Sequence, residues 1–228
     1  MESSVVRRVI PSDDSCLFNA VGCTSILYNH QTHEIISSIM DRYVMEHNKH
    51  KATELRQVIA EIVASNPDDY DEAILGSKNE AYSAWILNPE KWGGAIELSI
   101  LSNHYGREIA AYDIQTSRCD LYGQDKGYNE RVMLIYDGVH YDALAMTPCE
   151  GAPEEFDQTV FTVQSDRTIG HVENLTLELV KNQKRKRSYT DRANFTLRCG
   201  VCQIGVVGQK EAMEHARATG HVNFQEYH

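Results

Sequence analysis

No apolar run in this chain of 228 residues approaches the ~18 residues that mark a membrane-spanning helix. The opening stretch, Met1-Glu2-Ser3-Ser4-Val5-Val6-Arg7-Arg8, lacks the apolar centre of a secretory signal, so neither a leader nor insertion into a membrane is expected. No internal repeat is visible, which argues against a solenoid or a propeller. Cysteine is too scattered for a disulfide framework. Of the six, Cys199 and Cys202 form a C-x-x-C pair, while Cys16, Cys23, Cys119 and Cys149 stand apart. That usage suits reduced thiols in the cytosol or nucleus. Positive charge is also short, with 22 Lys and Arg against 33 Asp and Glu for a net charge of −11. The deficit is uneven. Residues 166–228 hold ten basic and seven acidic side chains, or +3, so the first 165 residues carry −14. An acidic body of that kind repels nucleic-acid backbones and favours a basic partner.

What is present fits a folded body with one ordinary core and a small appendage. Hydrophobic residues make up 42% and charged residues 24%, the balance of a globular domain. Val5 to Ile10 reads as a short strand stopped by Pro11. Asp13 to Ser15 are cap-forming residues, so Cys16 is expected in the first turn of a helix. Ile35, Ile36, Ile39, Met40, Tyr43 and Val44 keep helical spacing inside an otherwise ambiguous stretch, 24–50. Leu55, Val58, Ile59, Ile62 and Val63 predict an amphipathic helix ended by Asn66-Pro67. Further helices are expected around Tyr82 to Ile86, over Ala95 to Leu101 and over Val172 to Val180. Strands are expected over Arg107 to Ile114, Arg131 to Tyr136, His140 to Ala145 and Phe161 to Val163, with Asp137-Gly138 as a hairpin turn. Helices first and strands later predict an α+β fold, a small central sheet between helical regions.

Two short segments carry the chemistry. Pro11-Ser12-Asp13-Asp14-Ser15-Cys16-Leu17-Phe18-Asn19-Ala20 places a cysteine after a polar turn at the start of a helix. Leu134-Ile135-Tyr136-Asp137-Gly138-Val139-His140-Tyr141-Asp142 places a histidine at the mouth of a hairpin. A helix N-terminus and a nearby imidazolium both favour a thiolate. His140 would form that ion pair and then protonate the leaving amine. Asp142 leaves the same strand face as His140 and is one candidate to hold the imidazole in its useful tautomer. Asp13, in the turn over the nucleophile, is the other. Backbone N–H groups of that turn, Cys16 included, would make an oxyanion hole. This constellation predicts a cysteine hydrolase.

Asp13-Asp14-Ser15-Cys16-Leu17-Phe18 resembles the D-x-x-C-L-F nucleophile motif of ovarian-tumour (OTU) domain deubiquitinases, and the His140 segment resembles their histidine motif. Lys91-Trp92-Gly93-Gly94-Ala95-Ile96-Glu97-Leu98 resembles the W-G-G-x-x-E segment that lies between the two. All three occur in family order over roughly residues 5–165. The resemblance implies an α/β cysteine-protease-like OTU fold, ubiquitin and ubiquitin chains as substrate, and Cys16 as the nucleophile that attacks the carbonyl of the ubiquitin C-terminal glycine. Family members differ in whether the orienting carboxylate follows the histidine or precedes the cysteine, so Asp13 and Asp142 both stay open. Trp92, Gly93 and Gly94 fit a substrate-binding wall, an aromatic beside bare backbone for a Gly-Gly tail. The tail's arginines would meet the acidic body.

The C-terminal module has its own signal. Cys199-x2-Cys202-x12-His215-x5-His221 has the spacing of a closed tetrahedral Zn2+ site, structural rather than catalytic. Its base-reading positions would be Gly208, Glu211 and Glu214, a poor probe for DNA, so no DNA is expected. Its apolar pair is reduced to Val206 and Ala212. Lys184-Arg185-Lys186-Arg187 reads better as the cationic end of a helix than as a nuclear-localisation patch. The expected organisation is an OTU catalytic domain over 1–165, a helical and basic linker over 166–190 and a C2H2 zinc finger over 191–228. An OTU domain followed by one finger resembles the branch of the family that works with the valosin-containing AAA ATPase in endoplasmic-reticulum-associated degradation. That resemblance implies a protein of the unfolded-protein response, and the expected compartment is the cytoplasm, with the nucleus as the alternative. Members of that branch usually carry a UBX-type domain ahead of the OTU domain. Here the catalytic motif begins about a dozen residues in, which counts against direct ATPase binding. Two other readings compete: a non-enzymatic ubiquitin- or nucleic-acid-binding zinc-finger module, and a papain-like peptidase acting on ordinary peptides. The paired D-x-x-C and H-x-D motifs argue against the first, and Trp92-Gly93-Gly94 against the second.

Overall fold

A computed structural model describes residues 3–10, 14–25, 49–191, 196–221 and 223–226. The sequence expectations for residues 24–50 and for Asp13 lie largely or wholly outside them. The first part alternates a short strand and a helical layer before a sheet is built. Strand β1 (Ser4–Arg8) is followed by helices α1 (Cys16–Ser25), α2 (Lys49–Ser65), α3 (Glu72–Leu75), α4 (Asn79–Ile86) and α5 (Ala95–Tyr105). Strands β2 (Glu108–Asp113), β3 (Cys119–Tyr122), β4 (Glu130–Tyr136), β5 (Tyr141–Thr147) and β6 (Val160–Thr162) then lead to helix α6 (His171–Arg185). Their order in the sheet is β1-β5-β4-β2-β3, with β6 paired to the start of β4. Only β2 and β4 run parallel among the described pairs, in register from Glu108 opposite Arg131 to Asp113 opposite Tyr136.

The two faces of this sheet are written into strand alternation. On β2 and β4, Ile109, Ala111, Val132 and Leu134 face one core, with Leu17, Phe18, Leu55, Ile59, Val63, Leu98 and Leu101 from the helices. The intervening Ala110, Tyr112, Met133 and Ile135 face a second core with Val5, Leu144 and Phe161. Helix α6 closes that second face. Val180 is buried, Val172, Leu175 and Leu179 pack against it, and the Thr176 hydroxyl donates to Met133 Sδ at 3.3 Å. The helix expected within a linker is therefore a layer of the sheet domain, because its apolar residues recur at helical spacing on one side. The basic run Lys184–Arg187 closes this helix, with Lys184 and Arg185 in its last turn.

Strand β3 has no counterpart among the expected elements. Its four residues, Cys-Asp-Leu-Tyr, are only partly buried, so neither length nor alternation marks it. The C-terminal module is a sheet of order β8-β7-β9, built from β7 (Thr196–Cys199), β8 (Gly205–Val207) and β9 (Phe224–Glu226), with helix α7 (Gly208–Thr219). Val206 and Ala212 are its buried apolar pair, as the sequence indicates.

Candidate active site and metal centre

Cys16 is the first residue of α1 and is buried to 9% exposure. Helix-terminal N–H groups point toward such a side chain and favour its anion. A cleft of about 200 Å³ opens at this helix end. Cys16 and Leu17 line its floor, Trp92, Gly93 and Gly94 one wall, and Tyr136, Val139 and Tyr141 the other, with Asp14 at the lip. The sequence-predicted nucleophile and substrate wall thus share one cavity, and the residues on both sides of His140 form its far side.

The histidine is held at its ring and at its backbone. His140 Nε2 lies 3.1 Å from Asp142 Oδ1 and 2.9 Å from the carbonyl oxygen of Ile10. Asp142 is fully buried, and Oδ1 also accepts the Ile10 N–H at 2.6 Å. Both neighbours of Nε2 are acceptors, which assigns the ring proton to Nε2 and leaves the Nδ1 lone pair as the basic site. Asp142 is therefore the described carboxylate on the imidazole. The hairpin turn is built by Asp137, whose Oδ1 accepts the N–H groups of His140 at 2.9 Å and Val139 at 3.2 Å. Its carbonyl accepts the Thr190 N–H at 2.7 Å, so the segment after α6 rests on the histidine turn. Gly138 is required there: its φ is +105°, and a Cβ would stand 2.5 Å from the Thr190 oxygen.

The wall opposite is fixed by packing. A Cβ on Gly93 would lie 2.8 Å from Phe18 Cζ and 3.2 Å from Leu17 Cδ2, so only bare backbone passes over the residues following the nucleophile. The Gly94 N–H donates to Glu97 Oε2 at 2.6 Å, capping α5, and the Tyr82 hydroxyl donates to the other oxygen of this buried carboxylate. Burial first, then the Glu97 charge, push the Tyr82 phenol well above the usual tyrosine range. Trp92 is 55% exposed, and its Nε1–H donates to Asp14 Oδ1 at 2.6 Å across the cleft lip. Tyr141, stacked on Tyr136 with ring centroids 4.5 Å apart, is likewise pushed up by burial and stays a neutral phenol.

Sequence reasoning missed two arginines here. Arg56 on α2 is 1% exposed and lies 4.1 Å over the Phe18 ring. Its guanidinium donates to the carbonyls of Asp14 (3.1 Å), Ile86 (3.0 Å), Pro89 (3.2 Å) and Lys91 (2.6 Å) and to the Ser15 hydroxyl (3.2 Å). One buried fork thereby ties the turn before Cys16 to the loop that leads into Trp92. Arg7 on β1 donates to both Asp142 and Asp137. In the sequence Arg56 reads as a polar position of an amphipathic helix, and Arg7 as an edge-strand cation. Neither carries a local signal for what lies far away in the chain.

The four expected metal ligands converge. One donor atom each from Cys199, Cys202, His215 and His221 lies within 4.8 Å of all the others. Cys199 Sγ is 3.6 Å from His221 Nδ1, and Cys202 Sγ is 3.5 Å from His215 Nε2. Tetrahedral zinc bonds of about 2.3 Å to sulfur and about 2.0 Å to nitrogen put a sulfur and a nitrogen roughly 3.5 Å apart, so these two pairs have the separation that Zn2+ requires. Burial opposes the Cys199 thiolate, but the N–H groups of Cys202 and Val201 outweigh it and bring the thiol below its usual range. Glu211, at a base-reading position, instead accepts its own helix's Val207 N–H at 2.6 Å.

Comparison with known proteins agrees with this layout. The OTU-like cysteine protease family matches residues 11–144, and the family of the C-terminal C2H2-type zinc finger of ubiquitin thioesterase OTU1 matches residues 193–227. The chain is 68% identical over 227 residues to the OVARIAN TUMOR DOMAIN-containing deubiquitinating enzyme 2 of Arabidopsis thaliana, covering 100% of both chains. It is 47% identical over 226 residues to ubiquitin thioesterase OTU1 of Danio rerio and 45% over 222 residues to that of Homo sapiens. Those alignments take in 97% of this chain but only 66% and 57% of the two relatives. A solved OTU domain in complex with ubiquitin superposes with a TM-score of 0.65 at 25% identity, covering 83% of this chain and 92% of that one.

Proposed function

The chain belongs to the OTU-like cysteine protease family, and from that premise we propose that it is a deubiquitinase, hydrolysing the bond between the ubiquitin C-terminal glycine and an amine. One observation carries this reading. His140, paired through Nε2 with buried Asp142, is flanked by residues lining the same narrow cleft as Cys16 and the Trp92-Gly93-Gly94 wall. In this mechanism His140 Nδ1 takes the Cys16 proton, and the helix N-terminus and the imidazolium stabilise the thiolate. The sulfur attacks the glycine carbonyl, and the Cys16 N–H is one donor to the oxyanion. Nδ1 then returns its proton to the leaving amine. Water activated by the same nitrogen hydrolyses the thioester. Asp142 keeps the proton on Nε2 throughout and balances the imidazolium. The Gly93 and Gly94 backbone that lines the cleft beside Trp92 suits a Gly-Gly tail.

The relatives named ubiquitin thioesterase and the superposition on an OTU domain bound to ubiquitin support ubiquitin as the substrate. The charge of −14 over residues 1–165 supports a partner whose tail carries arginines. The finger holds one structural Zn2+ outside the reaction. The branch to which the finger points extends the reading to cytoplasmic protein quality control alongside the valosin-containing AAA ATPase. Co-purification of that ATPase with the full chain would test the partnership. The activity itself is tested by cleavage of ubiquitin conjugates. Wild type cleaves them, Cys16→Ser and His140→Ala do not, and both variants keep the wild-type circular dichroism. Cleavage that survives Cys16→Ser refutes the mechanism.

A further inference from the structure

We propose that Arg7 is a positioning residue for this reaction, a single guanidinium that grips both carboxylates holding His140. The inference rests on His140 acting as the base. Arg7 sits on edge strand β1, opposite Leu144 of β5. Its Nε donates to Asp142 Oδ2, and its Nη2 donates to Asp137 Oδ2 at 3.1 Å. The other oxygen of each carboxylate is turned to the histidine. Asp142 Oδ1 faces the ring at Nε2 at 3.1 Å, and Asp137 Oδ1 accepts the backbone N–H at 2.9 Å. The ring and the main chain of one residue are thus each oriented by a carboxylate whose second oxygen is on the same arginine.

This arrangement has a function that a surface ion pair lacks. The Asp142 side chain is fully buried, and an anion there needs a partner for each oxygen. Oδ1 is taken by the Ile10 N–H and the imidazole, so Arg7 supplies Oδ2. The Arg7 side chain is 20% exposed, and its guanidinium reaches the two carboxylates through separate nitrogens, a geometry that an ammonium point charge does not reproduce. The charged and titratable groups bonded to His140 or to its carboxylates are Asp142 from β5, Asp137 in the turn and Arg7 from β1, and those of the adjoining cleft are Asp14, Cys16, Tyr136 and Tyr141. Among these Arg7 is the cation, and it is the partner of Asp142 Oδ2. When it is lost, Asp142 Oδ2 and Asp137 Oδ2 lose their shared partner, the two carboxylates no longer hold the ring and backbone of His140 in place, and the thiolate–imidazolium pair forms less readily. Arg7 is not among the described residues that line the cleft, so its loss is expected to act on the chemical step rather than on binding of the Gly-Gly tail.

The test compares Arg7→Gln and Arg7→Lys with wild type, per probe-reactive site, on a ubiquitin amide substrate and in alkylation of Cys16 by iodoacetamide across pH. The expected result for Arg7→Gln is a fall in kcat of about tenfold or more with KM unchanged, an interaction acting on the chemical step alone. The acid limb of both pH profiles also moves to higher pH. Arg7→Lys, which keeps the charge but not the fork, restores the acid limb and recovers part of kcat. Wild-type kcat and an unmoved acid limb in Arg7→Gln overturn the proposal. So does a loss that disappears once rates are expressed per reactive site. Should Arg7→Gln not fold, Arg7→Lys decides: reduced kcat at constant KM supports the proposal and wild-type kcat overturns it. If wild type itself cleaves no ubiquitin substrate, the deubiquitinase reading fails, and the alkylation profile alone then decides the role of Arg7.

Discussion

Gly93→Ala adds one methyl group where the wall of the cleft crosses the residues following the nucleophile. Its Cβ would stand 2.8 Å from Phe18 Cζ and 3.2 Å from Leu17 Cδ2. Ordinary carbon contacts are about 3.5–4.0 Å, so one or both sides must move by roughly 0.7 Å. Phe18 is fully buried with the Arg56 guanidinium 4.1 Å above its ring, so the ring has no empty space to enter. Overpacking of this kind costs about 1–3 kcal/mol, read as a lower urea midpoint at constant slope. The loop is the softer partner, and its outward shift widens the channel for the Gly-Gly tail. Misplacement on that scale is expected to reduce kcat/KM on a ubiquitin amide about 100-fold. Phe18→Leu removes the atom the methyl meets. In that background Gly93→Ala should therefore cost at least about 1 kcal/mol less, a coupling measured by the double-mutant cycle. Gly94→Ala is the control, because its nearest neighbour, Glu97 Oε2, is 4.0 Å away. Additive effects of Gly93→Ala and Phe18→Leu, or an equal loss of stability in Gly94→Ala, would refute the steric account of the wall.

Three other outcomes are expected. Asp142→Asn puts an amide where a carboxylate accepts from both the Ile10 N–H and His140 Nε2. With its oxygen kept on Ile10 and His140, its NH2 takes the place of Oδ2 and meets the Arg7 Nε–H, donor against donor, while the charge that balances the imidazolium is lost, so kcat should fall by about 10²–10⁴; a fall under about tenfold would show that the Asp142 charge does not support the imidazole. Tyr82, Tyr112 and Tyr141 are all pushed up by burial from the ordinary value of 10.0. A raised phenol pKa stabilises the fold fully below the unfolded value, and that stability is lost as pH climbs above it. Absorbance titration at alkaline pH should show these phenols ionising together with unfolding, whereas ionisation in a still-folded protein would contradict their burial. Chelating zinc from the full chain should abolish hydrogen-exchange protection over residues 196–226 and leave the β2–β4–β5 sheet protected, because the finger's buried apolar pair among the described residues is the small one of Val206 and Ala212. Retained protection would show that the finger does not need its metal.

Much of the site was legible because its signals are local. The cap-forming residues before Cys16, the Asp137-Gly138 turn, the His140-x-Asp142 alternation and the C-x2-C spacing each state a geometry within a few residues. Helical and strand periods likewise located α2, α5, α6, β2, β4 and β5, because each buries a regular face. What escaped depends on contacts between distant segments. Arg56 acts on carbonyls 30 to 42 residues away, and Arg7 on carboxylates 130 and 135 residues away, so neither has a sequence spacing to read. Strand β3 pairs with β2 through four mixed residues and shows no face of its own. The segment 166–190 read as a linker by its basic run, whereas Val172, Leu175, Leu179 and Val180 bind its helix to the sheet and Thr190 to the histidine turn. Of the two carboxylates left open in the sequence, Asp13 lies outside the described residues, and Asp142 is the one described on the imidazole.

The central claim is that Cys16, activated by His140, attacks the end of a ubiquitin tail in the cleft beside Trp92. An electrophilic ubiquitin probe, with a vinyl or propargyl group in place of the last glycine, tests it most directly. The account predicts one covalent adduct on the wild-type chain, mapped by mass spectrometry to Cys16, slowed in His140→Ala and absent in Cys16→Ser. A folded wild-type chain that forms no adduct, or forms it at another cysteine, would contradict the claim.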